Sequence, residues 1–97
     1  MRVIKRLGGV EGFDSAKIKT SIANTSDSIN KPLNQGDLNT ITNAVSQKIR
    51  SRFKDEITYI QIRDIVVEEL RNGAFFDIAK AYKEPESLKK FIEKIWK

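Results

Sequence analysis

A chain of 97 residues, 39% hydrophobic and 32% charged, has the length and make-up of one globular domain and is too apolar for a disordered tail. It contains neither cysteine nor histidine, which excludes a disulfide framework, zinc sites with thiolate or imidazole ligands, a thiol nucleophile and a histidine general base. The net charge of +5 is uneven: residues 1–31 carry six cations against three acids, 32–82 seven of each sign, and 83–97 five lysines against three glutamates. If the two ends meet in space they form one positive region suited to phosphate-bearing partners.

No apolar run approaches the roughly 20 residues of a bilayer span, so a soluble, cytoplasmic protein with no membrane partner is expected. In chain order, Arg2 to Arg6 alternates, with Val3 and Lys5 on one face and Arg2, Ile4 and Arg6 on the other; Gly8 and Gly9 then supply a two-residue turn. The hairpin runs to about Phe13, in a register that sets Leu7 opposite Val10, Arg6 opposite Glu11 and Lys5 opposite Gly12. Asp14 caps a first helix with Ile18, Ile22 and Ile29 on its stripe, fraying between Asn24 and Ser28. After the loop "SINKPLNQGDL", Asp37 caps a second helix whose stripe is Leu38, Ile41, Val45, Ile49 and Phe53.

Glu56 to Thr58 can add a short third strand. Thr58 and Gln61 then form a capping box, and Ile57 and Ile62 fall at the two positions of a hydrophobic staple. The third helix buries Ile62, Ile65, Val66 and Leu70, and Asn72-Gly73 stops it through a left-handed residue. A fourth helix carries Phe75, Ile78, Ala79 and Tyr82 on one side and ends at Pro85. Beyond it, Leu88, Phe91, Ile92, Ile95 and Trp96 recur at the spacing of an amphipathic helix over 86–97. The expected fold is mainly α (α+β): a four-helix bundle capped by a small three-stranded sheet that includes an N-terminal β-hairpin, plus an additional C-terminal helix. It forms a single domain over 1–97, with residues 3–82 as its core.

Side-chain alternation sends Lys5 and Arg6 to opposite faces, so a ligand touching both must sit at the end of the sheet or against a helix start. Lys17, one turn into the first helix, lies near amides without helical acceptors, a setting that favours phosphate oxygens, although Asp14 as cap takes one of those amides. Two readings stay open on these residues alone: an anion cradle, or an Arg6–Glu11 strand pair with Lys5 and Lys17 solvated. There is no G-x-x-x-x-G-K-[ST] and no G-x-G-x-x-G after a strand, so the glycine-loop nucleotide folds are not supported.

The order "VIKRLGGVEGFDSAKI", a helical spacer, then "EITYIQIRDIVVEELRNGAFFDIAKAY" closely resembles the ATP-cone domain, the nucleotide-binding module of many ribonucleotide reductases and of the bacterial repressor of reductase genes. That family begins approximately V-x-K-R-D-G-x-x-E-x-F-D-x-x-K-I and continues I-s-x-x-x-I-q-d-x-V-x-x-x-L before an A-x-x-Y ending. Val3, Lys5, Arg6, Glu11, Phe13, Asp14, Lys17 and Ile18 match the first block, and Ile57, Thr58, Ile62, Asp64, Val66, Leu70, Ala79 and Tyr82 the second. Leu7 departs from the family's usual Asp, and Pro85 interrupts the helix that commonly follows the A-x-x-Y.

The resemblance implies ATP or dATP, with Mg2+ carried by the nucleotide, bound between sheet and helices. Its triphosphate contacts map onto Lys5, Arg6 and Lys17, with Lys89 as the matching lysine of the last helix. Val3, Phe13 and Ile18 would line base and sugar. Glu11 and Asp14 are acceptors for ribose hydroxyls or the adenine amino group, or else a strand partner and a helix cap. Thr58 and Tyr59 approach the base from a second helix, Thr58 also serving as a cap.

The function implied is an allosteric regulatory domain, not an enzyme, that senses adenine nucleotides and controls oligomerisation or activity of a ribonucleotide reductase or a related partner. The expected partners are an adenine nucleotide and a further copy of the chain or a regulated protein, with no direct nucleic acid. The competing readings are a small basic nucleic-acid-binding protein and a degenerate cone serving only assembly. A freestanding cone and a domain of a longer protein both fit.

Overall fold

The computed structural model describes residues 1–83, in the order β1 (Arg2–Ile4), β2 (Val10–Gly12), α1 (Ser15–Ser28), α2 (Gln35–Arg52), β3 (Glu56–Thr58), α3 (Tyr59–Asn72) and α4 (Phe76–Lys83). The helix expected over 86–97, with Lys89 and Trp96, and the break at Pro85 lie outside the described residues. Each helix packs on the next and α4 returns to α1, closing a four-helix bundle. The sheet order is β2-β1-β3, with β2 antiparallel and β3 parallel to the central strand.

One face of that sheet is apolar and one is wet. Val3 pairs with Ile57 across the parallel ladder, and both are buried, so the two strands dock on the bundle by adjacent branched side chains. Each such burial contributes on the order of 1.5–3 kcal/mol. The opposite face shows Arg2 paired with Glu56 and a half-exposed Val10.

The hairpin register differs from the expected one. Arg2 faces Gly12, Val3 faces Glu11 and Ile4 faces Val10. The loop has three residues, not two: Gly8 N donates to Lys5 O at 3.0 Å, Lys5 N donates to Gly9 O at 2.8 Å, and only Gly8 has positive φ, at 86°. This is a turn followed by a left-handed bulge glycine, which a Gly-Gly pair allows as readily as the two-residue turn. Glu11 consequently sits beside Val3 on the inward face, and Arg6 is not its partner.

Three helix ends also differ from expectation. Asn34, not Asp37, caps α2: its Oδ1 accepts from Asp37 N at 2.7 Å while its Nδ2 donates back to Asp37 Oδ2 at 3.2 Å. Helix α1 does not fray after Asn24; Thr25 and Ser26 are buried, and the hydroxyls of Thr25, Ser26 and Ser28 bond back to carbonyls one turn earlier. The left-handed residue after α3 is Ala74, with φ 66°, and not Gly73. Phe75 N reaches Leu70 O at 2.8 Å and Ala74 N reaches Arg71 O at 2.9 Å, the two bonds of a Schellman motif. Gly73 serves another purpose, because a Cβ there would stand 2.9 Å from the Phe75 ring. Asn30, φ 56°, ends α1 in the same way.

Moving glycine to the left-handed position removes the steric cost of Ala74. Ala74→Gly should therefore stabilise the domain by up to about 1 kcal/mol in urea unfolding, whereas Gly73→Ala should destabilise it by about 1 kcal/mol by displacing a ring packed on the core.

Tyr82 closes the bundle from the inside. Ser21 Oγ donates to Ile18 O at 2.7 Å, which leaves it to accept from the Tyr82 hydroxyl at 2.9 Å and ties α4 to α1. Burial pushes the Tyr82 phenol well above its ordinary value, outweighing the Ser21 bond that favours ionisation. A raised folded value means that its contribution is whole below about pH 10. It is lost above that pH, as the unfolded phenol ionises and the buried one cannot, at up to about 1.4 kcal/mol per pH unit. Tyr82→Phe should cost about 1 kcal/mol at neutral pH and flatten the alkaline limb of stability measured by denaturant titration.

Candidate functional site

Glu11 is an acid on the side of the sheet that faces the helices. The extended backbone puts it next to Val3, and the chain then turns into α1 at Asp14, whose Oδ1 accepts from Ala16 N at 2.9 Å. That cap orients the first turn of α1 so that Lys17 Nζ donates to Glu11 Oε2 at 2.7 Å. The pair is partly sheltered, with side chains 35% and 22% exposed for Lys17 and Glu11. The other carboxylate oxygen, Glu11 Oε1, is buried without a hydrogen-bond partner among the described residues. An enclosed acceptor left unmet costs on the order of 1–3 kcal/mol, so it marks a place where a donor would bind favourably.

Lys5 stands two positions beyond Val3 on the same face, about 7 Å along the strand direction. Its chain lies over Gly9, where any Cβ would come within 2.9 Å of Lys5 Cε. Lys5 and Arg6 make no ion pair among the described residues, Lys5 half-buried and Arg6 exposed in the turn. Thr58 pairs with Ile4 in β3 and so borders the same end of the sheet. Its Oγ1 accepts from Gln61 N at 3.2 Å and its N donates to Gln61 Oε1 at 2.9 Å, the reciprocal cap read from the sequence. Tyr59 opens α3 half-buried against the core.

The structure thus brings Glu11 and Lys17 together, with Lys5 two positions beyond Val3 on the sheet face that Glu11 shares, while Thr58 is placed in β3 and Tyr59 at the start of α3. Val3 and Ile18 are fully enclosed and form the floor beneath these polar groups. Asp14 is occupied as a cap. Phe13 lies towards the opposite end of the ladder, its N donating to Met1 O at 3.0 Å. What the sequence reading missed is the Glu11–Lys17 pair, and its signal was an i, i+6 acid–base spacing across a strand-to-helix turn.

The domain is a two-layer module, a small three-stranded sheet closing a four-helix bundle, with the Glu11–Lys17 pair on the inward side of the sheet. The chain belongs to the ATP-cone family, whose model, described as the ATP cone domain, matches residues 1–90. It is similar to the transcriptional repressor NrdR of Streptococcus agalactiae, 27% identical over 101 residues covering 98% of this chain and 62% of the relative. The NrdR of Streptococcus pneumoniae is 26% identical over 99 residues (96% and 62%), and that of Carboxydothermus hydrogenoformans 24% over 98 residues (98% and 62%). The chain spans less than two thirds of the length of these relatives. The expectation that excluded nucleic acid is corrected by these findings: the relatives are transcriptional repressors, and repression of transcription is exercised on genes. No helix among the described residues is long and apolar enough to cross a membrane.

Removing Lys17 leaves a sheltered carboxylate without its countercharge. Lys17→Ala should destabilise the free domain by about 1–2 kcal/mol at low salt, and adding Glu11→Gln should return part of that loss, a coupling that a double-mutant cycle in urea would read.

Proposed function

We propose that the domain is a regulatory sensor of adenine nucleotides, binding ATP or dATP between hairpin and bundle. The observation that carries the reading is Glu11 Oε1, a buried acceptor without a hydrogen-bond partner among the described residues, on the carboxylate that Lys17 meets through its other oxygen. A ribose hydroxyl or the adenine amino group supplies the missing donor. Lys5, Arg6 and Lys17 meet the phosphates, with Lys89 as the corresponding lysine near the C-terminus and Mg2+ arriving on the nucleotide. Tyr59 and the rim of Thr58 provide the surfaces against which base and sugar settle, above the enclosed Val3 and Ile18; Phe13, at the far end of the ladder, takes no part. Asp14 acts by holding α1 in place.

Binding of this kind has a built-in consequence for shape. Lys17 ties the hairpin to α1 through Glu11, so a triphosphate that draws on the Lys17 charge alters a polar link between sheet and helices. ATP and dATP differ by a single hydroxyl, and they direct different outcomes only if their affinities for two states of the domain differ. The output that fits the family and its relatives is control of ribonucleotide reduction, exerted on the enzyme or on its genes through oligomerisation, with DNA among the possible partners. No catalytic step is assigned to this chain.

Titration calorimetry with ATP, dATP and GTP tests the proposal. Adenine nucleotides should bind and GTP should bind at least about tenfold more weakly; Lys5→Ala and Lys17→Ala should each weaken ATP by roughly 10–100-fold, the loss of a charge-assisted contact. Equal binding of GTP, or ATP binding indifferent to both substitutions, would remove the reading. Light scattering with and without dATP reports the change in assembly.

A further inference from the structure

The end of α2 carries a dense run of charge that the nucleotide site does not use. "KIRSRFK", residues 48–54, holds four cations, which the helix divides into two sets. Lys48 and Arg52, one turn apart, face α3: Lys48 meets Glu68 at 3.0 Å and also Glu69, and Arg52 meets Glu68 at 3.3 Å. Arg50 and Lys54 point elsewhere, are exposed and make no ion pair among the described residues. With Met1, Phe13 and Phe53 they line an open groove of about 500 Å³. Both phenyl rings are half-buried, packed against the core cluster on one side and reaching the groove on the other.

We propose that this groove is a second binding site, for an unpaired segment of single-stranded nucleic acid whose bases stack on Phe13 and Phe53 while Arg50 and Lys54 hold its phosphates. Three properties select this ligand. Aromatic rings offer a surface that every base accepts and few other anionic groups do, and two cations with no acid among the lining residues suit a polyanion. The groove is open to solvent rather than enclosed, which admits a chain longer than a single nucleotide. A duplex keeps its bases stacked inside and cannot offer a face to either ring. The Glu11–Lys17 pair is not part of the groove, so the assignment stands or falls separately from the nucleotide reading.

Fluorescence anisotropy of a labelled oligothymidylate of about eight nucleotides, titrated with the full chain, tests it. The strand should bind with a salt slope near −1.4, about −0.7 for each of two phosphates. The double substitution Arg50→Gln, Lys54→Gln should weaken binding by at least about tenfold, whereas Lys17→Ala should leave it within about twofold. Both substituted side chains are exposed and unpaired, so the fold is retained, which thermal unfolding checks directly. The proposal is overturned if the strand does not bind, or if a blunt duplex or a polyglutamate of matching charge binds as tightly. It is equally overturned if thymidine monophosphate competes at the strand's own affinity, which would make the ligand a free nucleotide, or if Lys17→Ala abolishes strand binding while the Arg50, Lys54 pair does not matter.

Discussion

A carboxylate turned towards the helices is the constraint around which this small protein is arranged. Glu11 shares the inward face of the sheet with Val3, a position that alternation reserves for apolar side chains. It is tolerable there because Lys17 reaches it at 2.7 Å, and Lys17 reaches it because Asp14 starts α1 where it does. The pair satisfies only one carboxylate oxygen. An apolar residue at position 11 would pack more simply and close the interface between hairpin and bundle. Retaining an acid with an unmet oxygen keeps that interface chemically open on one side.

The sheet is suited to reporting what happens there. Its centre is β1, joined on one edge to the hairpin partner and on the other to β3, which leads without a break into α3 through the Thr58–Gln61 cap. Val3 and Ile57 anchor two of the three strands in the core, while β2, the strand that carries Glu11, is an edge with Val10 half exposed. The strand that carries the inward acid is therefore the least anchored element of the sheet. Movement of β2 is resisted chiefly by the ladder to β1 and by the ion pair to α1, the contact that an anion would contest. In the bundle the restraints are of another kind: the Ser21–Tyr82 bond and the apolar stripes hold α1 and α4 together away from solvent.

Much of this was legible in the residues, and the parts that were not share a cause. The helix stripes were visible because a 3.6-residue period repeats over many turns, so that Leu38, Ile41, Val45 and Ile49 are all buried as expected. The Thr58 cap and the third strand were visible because their signals are local and redundant. The hairpin register was not, since Gly8-Gly9 is compatible with two loop lengths that place different β2 residues opposite the same β1 positions. The same holds at Gly73-Ala74, where the ring of Phe75, three-dimensional and not sequential in its reach, occupies the space above the glycine and pushes the left-handed residue one step on. In the site, Lys17 was identified, and the structure pairs it with Glu11. Its relation to Glu11 was misassigned because it depended on the register.

Charge shows the same limit of linear reading. Counted by segment, residues 32–82 are neutral, with seven cations and seven acids, and the positive excess belongs to the ends. In space the neutrality dissolves. Glu68 is held below the ordinary carboxylate range by Lys48 and then Arg52, and Lys48 is raised by Glu69 and then Glu68, so these groups answer one another across α2 and α3. What remains is a pair of cations without an ion-pair partner among the described residues, Arg50 near the end of α2 and Lys54 just past it, beside aromatic rings that connect the helix end to the start of the chain. A segment can thus be neutral in sum and strongly positive on one side, because a helix sorts successive residues onto different faces while an acid on one neighbouring helix can answer only one of them.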